Sequence, residues 1–354
     1  MFFILITWVP LLILTVMEGT AWNHGLKIPF LLDFVAHTRY LFAVPLLLLA
    51  EKIVELRVGL QVKQFITSGL VSEDERPEFE SAISEVEKLR DNVFFELLIL
   101  ALCYGSAYFI ASRSISVHTG TWRVLATDSG FHMTMAGWWH LIISIPLFQF
   151  VAARWVWRLI VWTRFLWRVS KIDLQLVPTH ADKAGGLGFL GIAPTTFGLI
   201  PFATSSVASS VMGRDIIFFG AQLAQFSAQI VGLIAFLVLL SVGPLLVFFW
   251  KLAITKRQGM LLFGALVDSH DRAFWEQWAA TDNPDGEAMK GNPDASSLAD
   301  LGVGYERIRS MRLVPFDLRA VISVTATTAV PLLPLLLTVY PFNELIAKIA
   351  EIFL

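Results

Sequence analysis

The sequence predicts an all-α fold, a polytopic membrane helix bundle with about seven transmembrane helices, and three observations support this prediction. Of the 354 residues, 56% are hydrophobic and 16% are charged, whereas a soluble domain has about 45–50% apolar and about 25% charged residues. The apolar residues come in long runs, and the Lys and Arg residues gather after alternate runs. Together these features exclude a disordered chain, a coiled coil and an ordinary cytosolic enzyme.

Seven apolar runs are candidates for membrane-crossing helices, which need about 20 mostly apolar residues. The predicted spans are residues 2–17, 39–58, 93–111, 138–160, 187–212, 222–250 and 319–340. The first run is short, and it lacks a basic leading segment and a small-residue cleavage site. We therefore expect a retained transmembrane helix there rather than a signal peptide.

The distribution of Lys and Arg predicts the orientation of the chain, because these residues accumulate in cytoplasmic loops. Of the 27 Lys and Arg residues, 21 follow or end the second, fourth and sixth predicted spans. The N-terminus is therefore predicted to be cytoplasmic, and the C-terminus is predicted to lie on the opposite side of the membrane.

Membrane and cytoplasmic segments alternate along the chain. The predicted segments are residues 1–58 with transmembrane helices 1 and 2, 59–92 with a cytoplasmic amphipathic helix, 93–160 with helices 3 and 4, 161–186 with an Arg/Trp-rich helix end and a Gly-rich turn, 187–250 with helices 5 and 6, 251–318 as a cytoplasmic region, and 319–354 with helix 7 and a C-terminal tail. Within the largest cytoplasmic region, the Asn, Asp, Pro, Gly and Ser content of residues 281–297 predicts a flexible loop.

Several short motifs resemble those of a family of bacterial multi-pass inner-membrane proteins. They are SLADLG at 297–302, MR at 311–312, VPF at 314–316, PLLPLLLT at 331–338 and HADKAGGLGFLG at 180–191, the last being similar to a His-x-Asp-x-x-Gly-Gly-Leu-Gly-Phe segment of the family. The likeness extends over the whole chain. The resemblance implies a location in the bacterial inner membrane, but it implies no particular activity.

The Gly-rich turn at the predicted cytoplasmic end of the fifth span is a candidate ligand site or gate. Glycines let the backbone approach a ligand closely, and a helix N-terminus favours an anion. The candidate residues are His180, Asp182, Lys183, Gly185, Gly186 and Gly188. The alternative is that the glycines only permit a tight loop, while the His and Asp side chains cap a helix or pair with loop charges.

Polar residues in the fifth and sixth spans are candidates for a hydrated path. The glutamines of the sixth span are spaced as on one helix face, and the fifth span is rich in hydroxyl groups. The candidates are Gln222, Gln225, Gln229, Thr195, Thr196, Ser205 and Ser206. The alternative is close packing of small residues with interhelical hydrogen bonds.

Five of the seven histidines map to the predicted outer side: His24, His37, His118, His132 and His140. Asp33 lies four residues before His37, so the two share a face if this segment is helical. Imidazole and carboxylate groups suit a transition metal or a proton site. Asp33, His37, His132 and His140 are therefore the outer candidates, against the alternative of unrelated surface histidines. The sequence identifies no metal or other cofactor.

An Arg/Trp-rich stretch ends the fourth span, and its residues are Arg154, Trp155, Arg158, Trp162, Arg164, Trp167 and Arg168. Tryptophan prefers the membrane interface, and cytoplasmic Arg attracts anionic headgroups. The stretch therefore predicts a lipid anchor, with a phosphate-substrate site as the alternative. The net charge of −2 and the membrane context give no support for a nucleic-acid partner.

Three classes of function remain open. A transporter or channel for ions or small polar solutes would use the polar residues between spans 5 and 7. A non-catalytic assembly or regulatory protein would use its cytoplasmic surfaces, with a cytoplasmic partner or a second copy of the chain. A membrane enzyme has the least support, because only His180 and Asp182, with Asp268, His270 and Asp271, suggest convergent chemistry.

Overall fold

Helices dominate the structure, a computed structural model that describes residues 2–22, 25–114, 120–127, 130–276 and 293–339. The α-helices are α1 (Phe2–Thr7), α2 (Val9–Met17), α3 (Phe34–His37), α4 (Val44–Thr67), α5 (Arg76–Arg90), α6 (Val93–Ser114), α7 (Met135–Trp139), α8 (Ile145–Val169), α9 (Ala193–Thr196), α10 (Leu199–Phe219), α11 (Ser227–Val242), α12 (Phe249–Phe274), α13 (Pro293–Arg309) and α14 (Leu318–Ala329). Strands β1 (Val124–Thr127) and β2 (Gly130–Met133) pair as an antiparallel hairpin, with Leu125 opposite His132.

Short π and 3-10 turns join several helices end to end, and the resulting stretches are long. Four stretches have the length and apolar composition to cross a membrane, namely Met135–Val169, Gly188–Phe219, Leu223–Phe274 and Leu318–Thr338. Helices α5 and α6, which meet at a bend of 41°, would add a fifth span if they are counted together. The predicted helical bundle is therefore confirmed, with four to five span-capable helices in the described part of the chain.

The remaining predicted spans differ from these stretches. The first predicted span forms a short apolar helix, Phe3–Met17. Helix α4 carries Glu51, Lys52 and Glu55 within the predicted second span. It is not one of the four stretches that could cross a membrane. Residues 340–354, which include the predicted C-terminal tail, lie outside the described residues.

Aromatic side chains join the helices at one end of the bundle. The ring of Phe65 in α4 lies 5.7 Å from Phe79 in α5, 6.3 Å from Phe165 in α8 and 5.1 Å from Phe189, measured between centroids. Phe65 and Phe79 are completely buried. The apolar face of α5 is therefore packed onto the bundle rather than exposed to solvent.

The stretch Leu223–Phe274 contains 52 residues and is about 78 Å long at 1.5 Å per residue. A hydrocarbon core is only about 30 Å thick, so part of this stretch extends beyond it. There α12 packs against α13. Residues 281–292 of the predicted loop lie outside the described part, whereas residues 293–297 begin α13, where Pro293 suits a first helical turn.

Candidate functional site

Asp33 is the centre of a buried polar cluster. It precedes α3 as its N-cap, a position that Asp favours, and accepts a hydrogen bond from the Ala36 amide at 3.3 Å. Its carboxylate also accepts from Trp122 Nε1 at 2.8 Å and from Arg123 Nη2 at 2.6 Å. Burial raises the pKa of Asp33, but the Arg123 charge and these hydrogen bonds outweigh burial and hold the pKa well below its usual range.

Tyr40, just before α4, and His140, in the stretch Met135–Val169, contact each other next to this carboxylate. Tyr40 lies in a π-helical turn, Thr38–Ala43, and His140 begins another, His140–Ser144; such turns often mark functional sites. Tyr40 Oη lies 3.1 Å from His140 Nδ1, and both side chains are buried. The Trp122 ring packs edge-on against the His140 ring at 5.1 Å, so one indole contacts both the carboxylate and the imidazole.

Two guanidinium groups complete the cluster, which we call the Asp33 cluster: Asp33, Arg39, Tyr40, Trp122, Arg123 and His140. Arg123 pairs with Asp33 at 2.6 Å, and the Arg39 guanidinium lies 5.3 Å from the ring centroid of Phe148. With one carboxylate against two guanidinium groups, the cluster carries a net charge of +1 when the imidazole is neutral. The Nε atoms of both arginines and Nε2 of His140 are buried without a hydrogen-bond partner among the described residues.

His37 is not joined to Asp33 as the spacing predicted. Its Nδ1 accepts from Trp8 Nε1 at 2.9 Å, and its Nε2 lies 3.3 Å from the Leu31 carbonyl oxygen. Because Nδ1 must be an acceptor there, Nε2 carries the proton and donates to Leu31. Both ring nitrogens are thus used, and neither is available to a metal.

The other outer histidines are dispersed. His132 is exposed on β2, while His24 and His118 lie outside the described residues. Within the residues that the structure describes, no group of three His, Cys, Asp or Glu side chains is arranged to hold a metal ion. The structure therefore brings Asp33 and His140 together without His37 or His132.

A second charged group lies further along α4 and α8, and we call it the Glu51 cluster: Glu51, Arg154 and Arg158. Glu51 accepts from Arg154 at 3.4 Å and also binds Arg158. This cluster also carries a net charge of +1. Beside it is a cavity of about 30 Å³, enough for one or two water molecules, lined by the cluster together with Phe3, Leu47, Leu48, Phe150, Val151 and Trp155.

The later arginines of the Arg/Trp-rich stretch contact α5. Glu85 accepts from Arg164 at 2.6 Å and lies 3.0 Å from Arg168. The hydrogen bond from Arg164 is the main cause that lowers the pKa of Glu85. All four arginines predicted to meet lipid headgroups therefore have carboxylate partners within the protein.

The tryptophans of the same stretch divide between interior and surface. Trp155 and Trp162 are buried, and Trp155 Nε1 donates to the Leu47 carbonyl at 3.2 Å. Trp167 is 42% exposed, with the Arg164 guanidinium 4.8 Å from its ring. Only Trp167 of these three offers a substantial ring surface to lipid.

The Gly-rich turn is closed around its own carboxylate. Asp182 Oδ1 accepts from the amides of Ala184 at 2.8 Å and Gly186 at 3.2 Å, and Oδ2 accepts from Gly188 at 2.7 Å. His180 Nδ1 lies 2.8 Å from Oδ1. Burial raises the pKa of Asp182, but these backbone hydrogen bonds outweigh it and lower the pKa. The amides predicted to bind an external anion are thus occupied by Asp182.

Left-handed backbone conformations explain the glycines of this turn. Lys183, Gly185 and Gly186 have φ values of 56°, 66° and 100°, a region that glycine adopts readily. Arg312 fixes the turn from outside, since its amide donates to the Lys183 carbonyl at 2.7 Å and its Nη2 donates to the Asp182 carbonyl at 2.8 Å. This geometry favours the alternative of a tight structural loop.

The hydroxyl groups predicted to line a path bond to their own helices. Each donates to a backbone carbonyl three or four residues earlier, at 2.7–3.2 Å; they are Thr195, Thr196, Ser205 and Ser206. Ser205 and Ser206 are also buried between helices. These contacts favour close packing of small residues over a hydrated path.

The three glutamines do not share one helix face. Gln222 has an extended backbone, Gln225 lies in the 3-10 turn Leu223–Phe226, and Gln229 lies in α11. All three are exposed at the surface of the protein. The spacing predicted a continuous α-helix, but the turn before α11 interrupts the required periodicity.

Comparison with protein-family models, with curated proteins and with solved structures finds no match to this chain. The Asp33 and Glu51 clusters are therefore the basis for proposing a function.

Proposed function

We propose that the chain is a transporter- or channel-like protein of the bacterial inner membrane, with seven spans and a cytoplasmic N-terminus, that moves small inorganic anions. The observation that carries this proposal is the presence of two charged clusters, each with two arginines and one carboxylate: the Asp33 cluster, beside α3 and the turn before α4, and the Glu51 cluster, between α4 and α8. Ionisable side chains at membrane depth are costly and usually have a function.

The charge of the two clusters selects the class of solute. Each has one more guanidinium than carboxylate, so an anion that reaches either cluster compensates a positive charge. A metal cation would meet repulsion from the same groups. The cavity next to Glu51 is of the size of a small ion or one or two waters.

The clusters lie at separate depths. Tyr40 and Glu51 are eleven residues apart, about 16 Å along a helix, and Ala43, Leu47 and Ala50 between them are buried. Passage therefore requires α4 and α8 to separate. This route differs from a path between spans 5 and 7, where the hydroxyl groups are bonded to their own helices.

Flux measurements on protein reconstituted in liposomes compare the two routes. Arg158→Gln removes the excess positive charge of the Glu51 cluster, and we expect chloride flux to fall at least about tenfold, as for a loss of 1.4 kcal/mol or more. The double variant Gln225→Leu and Gln229→Leu should retain flux, because both side chains are exposed. Glu85→Gln, which alters only a half-exposed ion pair, is the matched control.

The outcomes separate the hypotheses. Loss of flux only in the glutamine double variant would move the path to spans 5–7. Wild-type flux equal to that of protein-free liposomes would overturn transport of the tested anion.

A second candidate function, membrane assembly, is favoured by the exposed side of α12. Leu262 and Leu266 are 73% and 50% exposed and are four residues apart on one helical face. Two copies with the same membrane orientation can bring this face of α12 together with the two helices parallel. Thr255 and Ser269 lie on the same face and are uncharged. A second copy of the chain therefore fits the face.

Disulfide cross-linking tests this alternative. With Cys103 replaced by Ser, Leu262→Cys in membranes should form dimers on oxidation, whereas Leu261→Cys, turned by about 100° around the helix, should form far fewer. Equal yields from both variants, or none from Leu262→Cys, would contradict the assembly function.

A further inference from the structure

Two arginines of α8 converge on one oxygen atom of Glu51. Oε1 of this carboxylate accepts a hydrogen bond from Arg158 Nη2, and Arg154 Nη2 lies 3.4 Å from the same oxygen. A single oxygen atom between two guanidinium groups occupies the position that a monatomic anion would take. The Arg154 distance exceeds the usual N–H···O range of about 2.7–3.2 Å, so Arg154 is held loosely and keeps donors for another acceptor.

The cavity beside these groups supplies space for such an ion. Its volume of about 30 Å³ is enough for one or two water molecules, and a halide ion is only slightly larger than a water molecule. Glu51, Arg154 and Arg158 all line the cavity. Their side chains are 30%, 36% and 24% exposed, so the three charged groups are not sealed inside the bundle.

The rest of the cavity wall offers an anion no other side-chain donor. Its lining is otherwise apolar, and the indole N–H of Trp155 is already donated to the Leu47 carbonyl at 3.2 Å. Among the described lining side chains, the two guanidinium groups are therefore the donors left for an anion. An anion in the cavity and the Glu51 carboxylate repel each other, and they compete for the same two arginines.

We propose that Arg154 and Arg158 bind a single halide-sized anion, and that Glu51 is a tethered competitor that occupies this site at rest. The anion enters when the Glu51 carboxylate turns away from the guanidinium groups, and the returning carboxylate expels the anion. Because one negative group replaces another, the charge beside the arginines is the same in both states. The regulation of flux by Glu51 rests on the proposed function, whereas binding of the ion to the arginines does not.

Glu51→Gln separates the competitor from the site, because it removes the carboxylate charge and keeps the size of the side chain. Chloride is titrated against gluconate at constant ionic strength, and thermal unfolding of the purified protein in detergent is followed. Release of two partly exposed ion pairs corresponds to a factor of about 5–30 in affinity. We expect a saturable rise of about 2–5 °C in Tm for Glu51→Gln, with half-saturation at about 5–30-fold less chloride than the wild type needs.

Glu55→Gln is the matched control, since Glu55 is exposed one helical turn further along α4 and does not line the cavity. This control should respond to chloride as the wild type does. The double variant Glu51→Gln and Arg158→Gln should lose the response, because one of the two groups that bind the anion is gone. Equal responses of Glu51→Gln and Glu55→Gln, or an unchanged response in the double variant, would overturn the site.

Bromide supplies a measurement on the unaltered protein, which does not depend on the folding of any variant. Crystals grown in concentrated bromide should give an anomalous peak in the cavity, in contact with Arg158, with the Glu51 carboxylate turned away from both arginines. If Glu51 still contacts both arginines and bromide is bound only elsewhere, the exchange is rejected.

Flux in liposomes distinguishes failure of the site from failure of the route. Below half-saturation, chloride flux through Glu51→Gln should rise above that of the wild type in proportion to the gain in affinity. Saturable chloride binding without flux in either protein would retain the site and reject the route. Flux in both proteins without saturable stabilisation of Glu51→Gln would retain the route and reject the site.

Discussion

Replacement of Asp33 by Asn is expected to destabilise the protein by about 3–5 kcal/mol, the usual cost of removing one partner of a buried ion pair. The amide has nearly the same shape, but it leaves the Arg123 charge uncompensated and turns one acceptor into a donor facing Trp122 or Arg123. Thermal unfolding in detergent measures the loss. Glu85→Gln is the control, because its partners Arg164 and Arg168 are 43% and 31% exposed and such pairs contribute about 0–1 kcal/mol.

The same substitution should change the pH dependence of stability. Because the pKa of Asp33 is lower in the folded protein than in the unfolded chain, its contribution is complete above the unfolded value of about 3.9 and is lost as pH falls toward the folded pKa. Wild-type Tm should therefore fall more steeply than that of Asp33→Asn below about pH 4. Parallel profiles would show that Asp33 is not an ionised partner of Arg123.

Replacement of Asp182 by Ala is expected to cost about 3–5 kcal/mol, because three backbone amides lose their acceptor at once and hydrogen bonds to charged groups are each worth about 1.5–3 kcal/mol. Asp182→Asn should be intermediate, since its single amide oxygen can keep the bonds from Ala184 and Gly186 but not the bond from Gly188. Thermal unfolding of the three proteins should rank them wild type, Asn and Ala.

Lys183→Gly is the matched control within the same turn. The φ of 56° at Lys183 is unfavourable for a side chain, so glycine there should be neutral or stabilising by up to about 1 kcal/mol. A loss of stability in Lys183→Gly as large as in Asp182→Ala would contradict the carboxylate-centred turn. Full stability of Asp182→Ala together with lost chloride flux would instead restore the ligand or gate role.

Several parts of the fold were predictable because they depend on local composition. Apolar runs identify the four span-capable stretches, and the amphipathic helix predicted within residues 59–92 corresponds to α5. The interruptions were not predictable in the same way, because residues such as Gln222 adopt an extended backbone just before a turn. A helical period assumed across that turn places the glutamines on one face incorrectly.

The candidate site was only partly visible in the sequence. Asp33 and His140 stand out as ionisable residues near apolar runs, but Trp122 and Arg123 are about 90 residues from Asp33, and no local periodicity predicts that contact. Glu51 offered a usable signal, since an acidic residue inside a predicted span needs a partner. The Gly-rich turn was predicted to be a candidate ligand site or gate, but the sequence could not indicate that Asp182 accepts the hydrogen bonds of its backbone amides.

The long stretch Leu223–Phe274 has mechanical consequences. Its two α-helices meet at the 3-10 segment Gly243–Phe248, which begins with Gly243 and Pro244, residues that weaken a helix locally. Beyond this point α12 is a rod of 26 residues, about 39 Å long. A rotation of about 10° at Pro244 would displace the far end of α12 by about 7 Å, whereas the completely buried Leu252 anchors the first turn of this helix in the core.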